Sequence, residues 1–261
     1  MLLAIDAGNT NTVFAVYDGD KKQAVWRRQT QSAATADEYA SFLHPLFDAA
    51  DLSFAHITDC LISSVVPEAN FHLRRTGERV FNASTGIVGK DNLDLGMVIK
   101  LNRPEEVGAD RLVNAVAVKA HHSCPAIVVD FGTATTFDVI DGEGAYAGGV
   151  IAPGINLSME ALHRAAAKLP KVSIHRTESV IGRDTITAMQ SGIYWGYIGL
   201  IEGMISRMVT EMKAQPLVIA TGGLASLFSG GTELIRKVDE DLTLKGLVRI
   251  HQMNLREKQA A

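Results

Sequence analysis

A chain of 261 residues with 47% hydrophobic and 21% charged residues has the composition of one large or two medium soluble domains with a sizeable core. A formal net charge of −4 and a pI near 6.1 exclude a general attraction to nucleic acid or anionic lipid. The opening MLLAID is too short an apolar run for a secretory leader, and the longest weakly polar stretch, GIYWGYIGLIEGMI, has 14 residues with Glu202 inside it, so no membrane span is expected.

In chain order, LLAID reads as a buried strand ending in Asp6. NTVFAVYDGDKKQAVWRRQT reads as two strands that turn at Asp18-Gly19-Asp20. Thr35 and Glu38 stand at capping-box spacing ahead of Tyr39, Phe42, Leu43, Leu46 and Phe47, which predicts a helix over 35–50. CLISSVV is a further buried strand with Cys60 at its start, and Pro67 opens the helix after it. GADRLVNAVAVKAH carries cap chemistry into an Ala/Val-rich helix. His121-His122 falls at the end of that helix, and with no third ligand in sight it predicts no metal site. Cys60 and Cys124 form no CxxC pair, so both are expected to be buried free thiols of a cytoplasmic protein.

The pattern then restarts. AIVVD is a strand, TATTFDVID a second and GEGAYAGGVIAP a third, with Asp138 and Asp141 expected to flank the turn between the last two. Helices are expected over about 154–168 and 183–213, the longer one with Tyr194, Trp195 and Tyr197 as core or dimer interface. PLVIATGG is a strand ending in two glycines, and a helix is expected around 245–253. Strand, hairpin and helices, given twice, predict a duplicated α/β unit with mixed sheets flanked by helices. The expected domains are 1–115 and 116–261.

The repeat centres on two turns. Asp6 and Asp130 are 124 residues apart, and each ends an apolar strand and begins Asp-X-Gly. The second hairpin turns one residue earlier than the first. Gly8 and Gly132 leave backbone N–H groups open to an anion, and Asn9, Thr10, Asn11 and Thr12 add side-chain donors in the first turn, as do Thr133, Thr135 and Thr136 in the second. A carboxylate at each strand end repels phosphate unless a cation sits between them, as in phosphoryl-transfer sites. Two such turns facing each other across a cleft would grip a polyphosphate from both sides. No GxxxxGK[ST] and no GxGxxG after a strand is present, which removes the P-loop and the simplest dinucleotide reading. Gly222 and Gly223 follow a strand and begin a helix; their backbone can approach a flat ligand such as adenine, or simply turn the chain.

These residues resemble the acetate kinase, sugar kinase and actin superfamily. More narrowly, IDAGNTNT, PEEVGADR, VVDFGTATT, GGVIAPGI, IGRDT, QSGIYWG and ATGG stand in the order found in type III pantothenate kinases, from residue 1 to about 250. The resemblance implies duplicated actin/ribonuclease H-like domains with the active site in the interdomain cleft. The domain 1–115 would carry the first phosphate turn, and 116–261 the second turn, the adenosine turn and the dimer helix.

The implied activity is ATP-dependent phosphorylation of pantothenate to 4'-phosphopantothenate, the first step of coenzyme A synthesis. The residues Asp6, Ala7, Gly8, Asn9, Thr10, Asn11, Thr12 and Val13 would hold the ATP phosphates, with Mg²⁺ on Asp6 directly or through water. The same resemblance puts Thr133, Gly222 and Gly223 on ATP, and potassium or ammonium on Asp130. Gly108, Ala109, Asp110 and Arg111 would bind pantothenate, with Asp110 as general base for in-line transfer. Thr185 would reach the substrate from the second subunit of a homodimer.

Asp110 also sits where a helix starts, so a cap role accounts for it without catalysis, and the helix N-terminus is expected to lower its pKa. Both roles can hold together, because loose phosphoryl transfer asks the base only to position the hydroxyl and take its proton late. Arg111 offers a planar fork to the pantothenate carboxylate, or is a solvated helix charge. The family commonly has Tyr nine residues before the catalytic Asp, where this chain has Leu101, with Arg103 where Asn is common. Loss of that phenol would remove one polar contact, on the order of 1 kcal/mol. Two other readings keep the phosphate turns: a non-catalytic nucleotide-binding regulator on the same fold, and another small-molecule kinase or phosphohydrolase of the superfamily. Intact Asp6, Asp110, Arg111 and Asp130 favour the pantothenate kinase over the regulator.

Overall fold

The structure, a computed structural model, describes residues 1–165 and 169–260, with side chains to residue 255. The last residues of the helix expected over 154–168 fall outside the described residues. The chain divides into two units, Met1–His122 with Asp241–Ala261, and Ser123–Glu240.

The first unit is built on β1 (Leu2–Ala7), β2 (Asn11–Asp18), β3 (Lys21–Gln29), β4 (Asp59–Ser64) and β5 (Ser84–Ile87), in the order β3-β2-β1-β4-β5. β2 is antiparallel to both its neighbours, whereas β4 and β5 run parallel to β1. Alternation along β1 sends Leu3 and Ile5 to one face and Leu2 and Ala4 to the other, so both faces need a helical cover. On the first face lies α1 (Ala36–Ala49), which buries Tyr39, Leu43 and Phe47. Its start is the expected capping box: the Glu38 N–H donates to Thr35 Oγ1 at 3.3 Å, and the Thr35 N–H donates to the Glu38 carboxylate at 2.8 Å. A short α2 (Asn70–Arg75) follows the turn opened by Pro67, and α3 (Ala109–His121) covers the second face through Ala109, Val113 and Val116.

The second unit repeats this plan. β6 (Ala126–Phe131), β7 (Ala134–Ile140), β8 (Tyr146–Pro153), β9 (Leu217–Thr221) and β10 (Lys237–Val238) stand in the order β8-β7-β6-β9-β10, with the same strand directions as in the first unit. After α4 (Ile155–Ala165) comes α5 (Thr185–Met212), whose Tyr194, Ile198, Ile201 and Ile205 recur every three or four residues and pack on Ile127, Val129 and Val218. A five-residue α6 (Ala225–Ser229) follows β9.

The last helix, α7 (Leu242–Ala260), returns to the first unit: Leu244, Leu247, Val248 and Ile250 join Leu2, Ala4, Val113 and Val116 in one core. Its contact with α3 is close because Gly246 has no side chain; a Cβ there would stand 2.1 Å from the Val113 carbonyl oxygen. Beside it the Thr243 hydroxyl donates to Oδ1 of the fully buried Asn114 at 2.8 Å. The division of the chain therefore differs from the expected 1–115 and 116–261. All of α3 belongs to the first unit, because its apolar face covers that sheet, and residues 241–261 belong there as well.

Asp138 also departs from expectation. It does not flank a turn but sits inside β7, fully buried, where it accepts a hydrogen bond from Tyr146 at 2.7 Å. Asp141 does hold the turn, accepting from the N–H groups of Glu143 and Ala145. Cys60 is a buried free thiol, its pKa pushed up to about 12 by burial, and Cys124 is half-buried and in no disulfide. Among the described residues no helix is long and apolar enough to cross a membrane.

Candidate active site

In the first unit β1 delivers Asp6 to the edge of the sheet and the chain reverses through Gly8, Asn9 and Thr10. The Gly8 N–H donates to the Asn11 carbonyl at 3.0 Å, closing the loop. Thr30, just past β3, straps it from the side: its N–H donates to the Thr10 carbonyl at 2.9 Å and its hydroxyl to the Gly8 carbonyl at 2.6 Å. Asn9, Thr10 and Asn11 are left exposed, side chains outward, as an anion site requires. Thr12 is different. It is buried and its hydroxyl pairs with that of Thr30 at 2.9 Å, so it supports the turn and is no outward donor.

Thr30 was not singled out from sequence. Its signal was the hairpin register: Asn11 pairs Gln29 across β2 and β3, which brings the next residue level with Thr10.

The start of α3 lies at the same sheet edge. The Val65 N–H, one residue beyond β4, donates to the Ala7 carbonyl at 3.1 Å, and a Cβ on Gly108 would stand 3.6 Å from the Val65 side chain. Gly108 is the N-cap and offers no side-chain bond. Its bareness makes room for the carboxylate of Asp110, whose Oδ1 would lie 2.5 Å from a Gly108 Cβ. That oxygen accepts the Arg111 N–H at 2.8 Å, which the Gly108 carbonyl shares at 3.1 Å, so the cap chemistry expected of Asp110 is met from the second helical position.

The expected lowering of the Asp110 pKa is not found. Burial raises it, outweighing the Arg111 N–H and guanidinium charge that pull it down. Arg111 is half-buried and not a solvated surface charge. Leu101 is half-buried in the loop before α3, and Arg103 is turned to the surface in an ion pair with Glu106 at 2.8 Å.

In the second unit β6 delivers Asp130 to the corresponding edge, and the Gly132 N–H donates to the Ala134 carbonyl at 3.1 Å. Gly132 and Thr133 are exposed. Thr135 is buried; its hydroxyl pairs with that of Tyr197, which in turn donates to the Pro153 carbonyl at 3.2 Å, so Thr135 is no outward donor.

Two glycines close in on this turn. A Cβ on Gly154 would meet the Thr133 carbonyl oxygen at 2.1 Å, and one on Gly222 would meet Asp130 Oδ1 at 2.6 Å. Gly222 also has φ +88°, a conformation that only glycine adopts freely. The double-glycine turn and the second Asp-X-Gly turn are therefore one site, while Gly223 has open space around it. Thr185 is the first residue of α5, exposed, after the N-cap Asp184. Asp184 takes the Thr187 N–H, which holds its carboxyl below the usual range. Thr185 lines an apolar groove of about 670 Å³ with Ile155, Leu162, Gly192 and Leu200.

Among the described residues no three His, Cys, Asp or Glu side chains converge as a metal cage. A single carboxylate at each sheet edge suits Mg²⁺ held through water and substrate phosphates, and it suits a monovalent cation, but no all-protein site.

Two mixed sheets of one topology, each with an Asp-X-Gly turn at its edge, define the fold of the actin-like and sugar-kinase proteins. Solved structures bear this out. A conserved putative Baf family transcriptional activator from Campylobacter jejuni matches with a TM-score of 0.61 at 19% identity, over 97% of this chain and 99% of that one. A putative 2-dehydro-3-deoxygalactonokinase from Sinorhizobium meliloti matches with a TM-score of 0.61 at 13% identity, over 97% and 96%. Within that fold, the family model of type III pantothenate kinase matches residues 2–207. The type III pantothenate kinase of Paramagnetospirillum magneticum is 56% identical over 97% of this chain and 98% of its own, and that of Rhodospirillum rubrum 56% identical over 97% and 99%. The chain belongs to the type III pantothenate kinase family.

Proposed function

We propose that the protein transfers the γ-phosphoryl group of ATP to the primary hydroxyl of pantothenate, giving 4'-phosphopantothenate and ADP in the first step of coenzyme A synthesis. Family membership over nearly the whole chain, with both Asp-X-Gly turns and the Gly108–Arg111 segment intact, carries this reading. The structural neighbour described as a transcriptional activator is 19% identical and speaks for the fold alone, so the regulator reading is not favoured.

In this mechanism the turn that Gly8 closes binds ATP phosphates through the backbone N–H groups and side-chain donors of its exposed residues Asn9, Thr10 and Asn11. Mg²⁺ on Asp6, directly or through water, would neutralise phosphate charge as it develops. Asp130 would hold a monovalent cation, Thr133 would contact ATP, and the Gly222-Gly223 backbone would take the adenosine. Arg111 pairs with the pantothenate carboxylate. Asp110 orients the substrate hydroxyl and takes its proton as the oxygen bonds to phosphorus and the bond to ADP breaks. The raised pKa of Asp110 suits it to that part, since a more basic carboxylate is a better proton acceptor.

We also propose a homodimer in which Thr185 serves the partner's substrate site. The apolar groove beside it and the exposed Leu157, Leu162, Val180, Ile181 and Ile186 of the same unit support this reading, as such surfaces are covered in oligomers. The test of the function is phosphorylation of pantothenate by ATP with Mg²⁺ in potassium against sodium buffer. Potassium-dependent turnover is expected; ATP binding with no phosphorylation in either salt would overturn the reading.

A further inference from the structure

Parallel pairing of β1 and β4 sets Ser63 directly beside Asp6. Leu2, Ala4 and Leu61 face α3 and α7, and strand alternation sends Asp6 and Ser63 to that same face. Ser63 is 0% exposed, and its hydroxyl has no hydrogen-bond partner among the described residues. A buried hydroxyl left unpaired costs roughly 1–3 kcal/mol, so it calls for a group that completes it. The second unit repeats the placement: Asp130 has Thr221 as its register partner on β9, 2% exposed, on the face away from Val129 and Ala220. Each Asp-X-Gly turn thus has a buried hydroxyl residue beside its carboxylate.

We infer that Ser63 is a positioning residue for Asp6, its hydroxyl donating to the Asp6 carboxylate when that group turns to meet a hydrated divalent cation on the nucleotide phosphates. One carboxylate oxygen is then fixed by Ser63 and the other is left for the cation side. This rests on the reading of Asp6 as the cation-side carboxylate of the kinase. It separates two effects that ordinarily move together: in the ligand-free protein the hydroxyl contributes nothing to stability, and in the loaded protein it contributes to binding.

The experiment compares wild type, Ser63→Ala and Asp6→Asn for thermal melting without ligand and for calorimetric binding of a non-hydrolysable ATP analogue, with Mg²⁺ and with EDTA. Ser63→Ala is expected to keep or raise the ligand-free melting temperature, to weaken Mg²⁺-dependent binding about tenfold, and to leave binding in EDTA as in wild type. Weakening by Asp6→Asn but not by Ser63→Ala would overturn the Ser63 role and leave the Asp6 reading standing. No change in Mg²⁺-dependent binding with Asp6→Asn would overturn both. A parallel fall of melting temperature and binding in Ser63→Ala would mark a packing defect and overturn the positioning role.

Discussion

Asp130 and Gly222 stand too close for a side chain between them: an atom in the Cβ position of Gly222 would lie 2.6 Å from Asp130 Oδ1 and 2.8 Å from the Phe131 backbone. The neighbouring Gly223 meets nothing within 4 Å. Gly222→Ala is therefore expected to destabilise the protein by about 1–3 kcal/mol through its positive φ alone, and to weaken ATP binding by displacing Asp130. Gly223→Ala should melt like wild type and lower only nucleotide affinity. Melting curves and calorimetric titration of both variants check the pair.

Asp110→Asn should abolish turnover and leave the fold intact. The sign of its effect on stability follows from the pKa. Burial raises the folded-state value of Asp110 above that of the unfolded chain, so its contribution is full below the unfolded pKa and lost as pH rises through the folded one. Where Asp110 is ionised its burial disfavours folding, and Asn in its place should be as stable or more so. The acid limb of kcat/KM should be displaced upward from that of an ordinary Asp. A pH–rate profile and pH-dependent melting of Asp110→Asn test both halves.

The α3–α7 crossing should be intolerant of added volume. Gly246→Ala puts a methyl against the Val113 carbonyl and side chain, and overpacking of this kind costs about 1–3 kcal/mol. Thr243→Val removes the hydrogen bond to buried Asn114, a loss of roughly 1–3 kcal/mol. Because α3 begins at the Asp110 segment, both variants should lower kcat as well as the denaturation midpoint in urea.

Leu162→Glu replaces a side chain 40% exposed on the rim of the apolar groove. Stability should change by no more than about 0.5 kcal/mol, as for most surface substitutions. Light scattering should report a monomer, and activity should fall with it if Thr185 serves the partner's site.

The apolar runs LLAID, CLISSVV, AIVVD and PLVIATGG were legible as strands because each is buried on both faces and reads as continuous hydrophobicity. β5 was not. Its four residues, Ser84 to Ile87, include a single buried aliphatic side chain, and its strand character comes from pairing with β4. Asp138 misled because an Asp in a strand is rarer than one in a turn; the partner that admits it, Tyr146, lies across the sheet in β8. The direction of the Asp110 shift was out of reach for a related reason. The helix start is local and readable, whereas the desolvation that prevails over it comes from packing. The paired Asp-X-Gly turns were the most legible feature of the site. The hydroxyls that steady the first of them, Thr12 and Thr30, belong to strands whose register had to be known first.

Placement of α7 has a consequence for biosynthesis. Residues 123–240 form the second unit in one uninterrupted run, so it can be completed as soon as that run has left the ribosome. The first unit, although translated earlier, must wait for α7 before the cover that α3 begins over Leu2, Ala4 and Leu61 is complete. For the whole of that interval the face is covered by α3 alone and the apolar surface that α7 buries stays open, an invitation to chaperones. A message cut short before codon 242 would deliver a finished second unit on an unfinished first one, and cellular proteases would read it as damaged.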